Sequence, residues 1–143
     1  MGFFMSIDTT TAETAIYKHI GQHTFVNVDK KDVRMENQLL IDGKPYVAPQ
    51  NKPHCKVFIS YSDSLTACIS NKPIIRDFGI ISIQCFVPRN TGTLKMSKLV
   101  DEWRNLLQSF SVPYLEVYLV HAPSDASDDN FHGKIIRAEF RIN

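Results

Sequence analysis

The strongest hydrophobic pattern in the chain lies between residues 78 and 110. Residues 80–87 set polar Ser82 and Gln84 among Ile80, Ile81, Ile83, Cys85, Phe86 and Val87, as a strand with one well-buried face requires. Pro88 stops that strand, because it has no N–H for a sheet ladder. Asn90, Thr91 and Gly92 supply turn chemistry, and Thr91 or Thr93 is placed to cap a helix. Met96, Leu99, Val100, Trp103, Leu106, Leu107 and Phe110 then recur at three- and four-residue steps and share one helix face. Lys95, Lys98, Asp101, Glu102, Arg104, Asn105 and Gln108 occupy the rest. The pattern predicts core anchors at Ile83 and Phe86 on the strand and at Leu99, Trp103 and Leu106 on the helix.

Upstream, Thr10 and Glu13 have capping-box spacing, Ala12, Ala15, Ile16 and Ile20 share a face, and Gly21 suits a left-handed C-terminal residue. A first helix over residues 11–20 follows. Short extended segments are expected at 25–28, 33–36 and 39–41, the last before an Asp42-Gly43 turn. Pro45, Pro49 and Pro53 make 43–53 irregular. Residues 55–61 alternate as a strand. Residues 65–70 and 73–78 flank Asn71-Lys72 and read as a hairpin whose second arm runs on into 80–87. Residues 114–121 and 134–142 are the remaining strands, joined by an exposed, mobile polar loop at 122–133. The order implies an α+β fold: a mixed, mostly antiparallel sheet of about 4–6 strands with two helices on one face. The crossover through 93–110 is long enough to join parallel strands. Residues 1–9 are read as a flexible N-terminus and 10–143 as a single domain.

Composition narrows the function classes. The chain has 143 residues, 43% hydrophobic and 22% charged, with a formal net charge of +1. Such a balance provides no field that would steer the whole molecule to nucleic acid or an anionic membrane. Cys55, Cys68 and Cys85 form no C-x-x-C pair, so reduced, buried thiols are expected. The start, MGFFMSID, is not expected to be a signal peptide, and no run approaches the ~20 apolar residues of a membrane span.

Candidate chemistry is sparse. His19 and His23 are four apart, a metal-pair spacing on a helix, but Gly21 between them is expected to end that helix. Asp125, Asp128, Asp129 and Asn130 lack the alternation, the sixth-position Gly and the twelfth-position Glu of a calcium loop. No G-x-S-x-G elbow is present. Residues 89–93 precede a helix N-terminus, yet lack the glycines and Lys-Ser/Thr of a phosphate loop. The aromatic residues fall mostly on strands without clustered Lys or Arg, which favours packing over base stacking. The reading is therefore of a non-enzyme without metal or cofactor.

Gly79-Ile80-Ile81-Ser82-Ile83-Gln84-Cys85-Phe86-Val87-Pro88, then Gly92-Thr93 and the amphipathic helix, resemble the central motif of phage tail terminator-like proteins of long-tailed, lambda-like phages. In that family a strand of the form G-x-x-x-[IV]-x-[VC]-[FY]-x-P precedes a GT turn and a helix. The first helix, the Pro-rich stretch before residues 55–61, Ala122-Pro123-Ser124 with its variable loop, and the strand at 135–141 agree. Residues 65–77 depart from the family, which often has a more charged or glycine-rich connection there.

The resemblance implies a structural virion protein, assembled in the bacterial host cytoplasm and placed in the tail or neck. Its subunits would close into a ring, typically a hexamer. That ring would cap the head-proximal end of the tail tube and offer a joint to the head connector. Its partners would be copies of itself, the tail tube protein and the head–tail connector, with DNA passing through unbound and no membrane contact. A closed ring needs heterologous contacts, expected at a sheet edge or at the helix-free face. Arg89, Asn90, Thr91, Gly92 and Thr93, with Asp125, Asp128 and Asp129, are expected to project towards axial partners. Arg76, Lys95 and Arg89 would line the channel or pair across the ring. The alternatives are a neck (head-completion) subunit, and a monomeric domain binding a small molecule or nucleic acid.

Overall fold

A computed structural model describes residues 8–38, 43–67 and 74–142, with backbone only at 63–67 and 74–77. Helix α1 spans Thr9–Gln22, and a single 3-10 turn at Lys30–Asp32 leads into strand β1, Val33–Met35. Strands β2 (His54–Ala67) and β3 (Ile74–Pro88) precede helix α2, Leu94–Gln108. Strands β4 (Leu115–Val120), β5 (Ser124–Asp125) and β6 (Phe131–Ile142) complete the fold. The six strands form one sheet in the order β1-β2-β3-β6-β4, with β5 also paired to β6. Only β1 and β2 are parallel neighbours. The fold is α+β, as the pattern predicts. Because β6 is antiparallel to both β3 and β4, the crossover through α2 joins parallel strands with β6 inserted between them.

The helix face predicted at 96–110 is buried along its whole length, with Leu99 and Trp103 at 0% exposure. Strand alternation puts Cys55 and Val57 of β2, Ile81, Ile83 and Cys85 of β3, and Ile136, Ala138 and Phe140 of β6 on the side that meets it. Trp103 is the centre of this layer. Its indole N–H donates to Cys55 Sγ at 3.3 Å, and its ring lies 4.9 Å from that of Phe25. Cys55 and Cys85 face each other across the β2–β3 ladder as buried free thiols; Cys68 lies outside the described residues.

Gly79 is buried opposite Phe140. A Cβ there would come within 2.3 Å of the Phe140 ring and 2.8 Å of the Ser60 carbonyl oxygen. Glycine at this position therefore makes room for an aromatic ring in the core rather than serving a turn.

Helix α1 packs its Ala12, Ile16 and Ile20 into the same core, so both helices lie on one sheet face. It starts earlier than the capping-box spacing suggests, because Asp8 is the cap and accepts from the Thr11 N–H at 2.8 Å. Asp8 and Thr9 thus belong to the helix and not to a loose end. Gly21 does not terminate it, since the helix runs to Gln22 and His23 follows in an extended conformation. Residues 25–28 form no strand, with bends at 26–28; the expected segment at 39–41 and the Asn71-Lys72 turn lie outside the described residues.

Residues 23–27 are instead fastened to α2 by one carboxylate. Glu102 accepts from the backbone N–H groups of Val26 (2.9 Å) and Asn27 (3.0 Å), and from the Asn27 side chain at 3.0 Å. His23 Nε2 lies 2.8 Å from the same group. Burial pushes the Glu102 carboxyl up, but the four donors outweigh it and hold it below the usual carboxylate range.

Two outcomes follow from this packing. Trp103→Ala should cost about 3–5 kcal/mol in urea unfolding, and a loss near zero would mean that the indole does not anchor the core. Glu102 has its acidic form disfavoured in the folded state, so its stabilisation is complete above the unfolded pKa of roughly 4.3 and is lost as pH falls through the lower folded value. Glu102→Gln should lower stability at pH 7 and flatten the part of the acid unfolding curve below pH ~4.3 that this group causes.

Candidate partner interface

Two loops meet at one end of the sheet. The turn after β3 places Asn90 (φ 66°) and Gly92 (φ 81°) in the left-handed region, which Asn and Gly tolerate best. The Thr91 hydroxyl donates back to the Pro88 carbonyl at 2.8 Å. Thr93 occupies the N-cap of α2, but its side chain makes no capping bond. Residues Arg89, Asn90, Thr91, Gly92, Thr93 and Lys95 are all exposed, and so is Leu94, at 74%.

The neighbouring loop is more ordered than a polar connection requires. Strand β5 pairs Asp125 with Lys134 of β6, and the Ala126 N–H donates to the Gly133 carbonyl at 3.0 Å. Asp128 Oδ1 accepts from the N–H groups of Asn130 (2.8 Å) and Phe131 (2.7 Å). Those two N–H groups hold the Asp128 carboxyl below its ordinary range, and the Ser127 hydroxyl does the same for Asp125. The expected mobile segment 122–133 is thus a laced loop, and residues 131–133 belong to β6.

The structure brings the two predicted loops together. An Arg89 Nη2–H donates to the Asp128 carbonyl oxygen. Beneath them His54 stacks on Phe86 at 4.8 Å and meets Phe131 edge-on at 4.7 Å. Phe86 is buried as expected, but in this cluster, on the opposite side of the sheet from Ile83, Leu99, Trp103 and Leu106. The alternation that buries Ile83 under α2 sends Phe86 the other way. Arg76 does not join the loops. It lies thirteen positions back along β3 from Arg89, roughly 40 Å for extended chain, in the part of the hairpin that runs beyond the end of β6.

The helix-free face is the second candidate surface. Across β2, β3 and β6 it carries the rows Lys56–Gln84–Ile135, Phe58–Ser82–Arg137 and Ser60–Ile80–Glu139. At the β4 edge, Arg141 donates to Glu116 at 2.6 Å and its guanidinium lies 5.5 Å over the Tyr118 ring. Glu139 Oε2 lies 2.6 Å from His121 Nε2. Most of these side chains are half-buried by their neighbours alone. Among the described residues no helix or strand covers this face, although Pro45 and Tyr46 lie against its β1 end beside Arg34, Lys56 and Phe58. A groove of about 540 Å³ between α1 and residues 110–114 is lined by Thr14, Lys18, His19, Phe110 and Tyr114, with no carboxylate or thiol.

His19 and His23 are not a metal pair: His19 Nε2 lies 2.8 Å from the Leu106 carbonyl oxygen and His23 binds Glu102. Among the described residues no group of His, Cys, Asp and Glu could hold a metal ion, and no helix is long and apolar enough to cross a membrane. Sequence reading missed His54 and Phe131, which carry no motif; only the pairing register puts them beside Phe86.

No family model matches the chain, and no curated protein matches it in sequence. One similar solved structure, which bears no functional name, shares 12% identity at a TM-score of 0.53, covering 78% of this chain and 79% of its own. At that identity the likeness concerns the fold alone.

The loop lacing makes one prediction. A Cβ on Gly133 would stand 2.6 Å from the Ala126 carbonyl oxygen, so Gly133→Ala should open the 126–133 pairing. Limited proteolysis should then cut this loop several-fold faster than in the wild type, and equal cutting would show that the pairing does not restrain it.

Proposed function

We propose that this chain is a structural, non-catalytic subunit of a phage tail terminator, closing into a ring on the head-proximal end of a tail tube. The observation that carries the reading is the placement of the family-like segment. Residues 79–110 form β3, a tight turn and α2, and the turn stands beside the 122–133 loop at one end of the sheet. One end of the subunit therefore presents both loops that the resemblance assigns to axial partners. Leu94 adds an exposed apolar side chain to the charged and polar groups there.

The ring contact would use the helix-free face or the β4 edge. Ile80, Phe58 and Ile135 supply apolar area among Lys56, Arg137 and Glu139, a mixture that suits an interface formed between already folded subunits. Repeating one such contact around an axis closes a ring when its rotation divides the circle. The formal net charge of +1 suits a channel that passes DNA without gripping it. The partners proposed are further copies of the chain, the tail tube and the head connector.

Light scattering after size exclusion should give a closed oligomer, and Ile80→Lys should give a monomer that keeps the wild-type far-UV circular dichroism. Added to polymerising tail-tube subunits, the protein should shorten or cap the tubes. Unchanged tube length would sink the terminator reading, while rings without capping would favour a neck subunit.

A further inference from the structure

The His54 ring is the least satisfied polar group in the candidate partner region. It is 3% exposed, and its Nδ1 is buried without a hydrogen-bond partner. Its neighbours are the faces and edges of Phe86 and Phe131. In the neutral form the imidazole serves as a third aromatic ring, tying the start of β2 to the end of β3 and the start of β6. Those are the roots of both loops. Protonation would place a charge beside two phenyl rings, at a nitrogen that has no hydrogen-bond partner in the folded protein.

We propose that His54 is a pH-sensitive pin: neutral, it holds the 88–93 turn and the 126–131 loop together, and protonated, it releases them. The charges around it do not cancel this effect. Lys56, on the same strand and sheet face, opposes protonation, while Asp32 before β1 and Asp128 in the loop favour it. Each acid has its own partners, although Asp32 Oδ2 is buried without a hydrogen bond, and the net shift at His54 is still downward. Asp32 accepts from the Tyr46 hydroxyl at 2.8 Å and lies 3.4 Å from Lys52 Nζ, and Asp128 caps two backbone N–H groups. Arg89 is bound to the loop backbone. His132 follows Phe131, but alternation turns it to the other face, where its Nδ1 lies 3.3 Å from Ser127 Oγ.

Burial, then Lys56, lowers the His54 pKa, so the unfolded or opened state binds the proton more readily. Closure of the loops is therefore at full strength above the ordinary value of roughly 6.5 and weakens as pH falls below it. Asp125 and Asp128, held below the ordinary carboxylate range, titrate in a separate, more acid window. The device does not require that the loops meet a tail partner.

The test is limited proteolysis of residues 122–133 between pH 8 and pH 5, normalised to an unstructured peptide, for the wild type, His54→Phe and His132→Gln. Wild type and His132→Gln should be cut roughly tenfold faster at pH 5 than at pH 7, the change expected for one pH unit of coupled protonation. His54→Phe should show no rise. A rise retained in His54→Phe, a rise lost in His132→Gln, or a flat wild-type profile would overturn the proposal. Should His54→Phe fail to fold, NMR titration of the wild type decides. The His54 ring and the Asn130 and Phe131 amides should then share one midpoint below 6.5, and separate midpoints would refute the coupling.

Discussion

Two helices can cover one face of a six-stranded sheet, and in this protein both lie on the same face. Helix α2 supplies the apolar stripe from Met96 to Phe110, and α1 adds Ala12, Ile16 and Ile20 beside it. Trp103, seated on Cys55 and flanked by Phe25, joins helix, sheet and the loop after α1 in one contact region. The core so formed is continuous, because dispersion and burial reward only atoms that pack without gaps. The opposite face has no such layer among the described residues, and its side chains remain a mixture of charged, polar and apolar groups.

Polar interactions in the molecule do specific positional work. Glu102 gathers four donors from residues 23–27 and so fixes the irregular segment between α1 and the 3-10 turn. Asp32 does the same for the Pro-rich segment through Tyr46 and Lys52. Asp128 closes the loop before β6. In each case a carboxylate satisfies backbone or side-chain donors where no ladder is available, as buried and half-buried chain requires. His54 is served differently, being buried among aromatic rings with one nitrogen unserved.

Much of the fold was legible in the sequence for a simple reason. Burial on one side only imprints a period, and the period survives in α2, in residues 80–87 and in residues 134–142. Helix ends were less legible. Thr10 and Glu13 have capping-box spacing, but Asp8 lies two residues earlier and bonds the Thr11 N–H instead. Gly21 reads as a terminator, yet its backbone stays helical because α1 gains tertiary contacts through Ile20 and His23. For the candidate interface, the sequence offered both loops and could not say that they touch. Arg76 entered the same set on residue type alone, and strand direction carries it to the far end.

By itself the sequence determined which residues alternate, where chain direction must change, and that two amphipathic helices accompany a mostly antiparallel sheet. These are local properties, written in side-chain period, proline and glycine. The tertiary structure decided the strand order, the meeting of Arg89 with Asp128, the separation of Phe86 from the main core, and the packing of His54 between Phe86 and Phe131. Each of these depends on register between strands far apart in sequence, and a shift of one residue would send every side chain to the other face. No single segment encodes that choice; the whole buried layer makes it together.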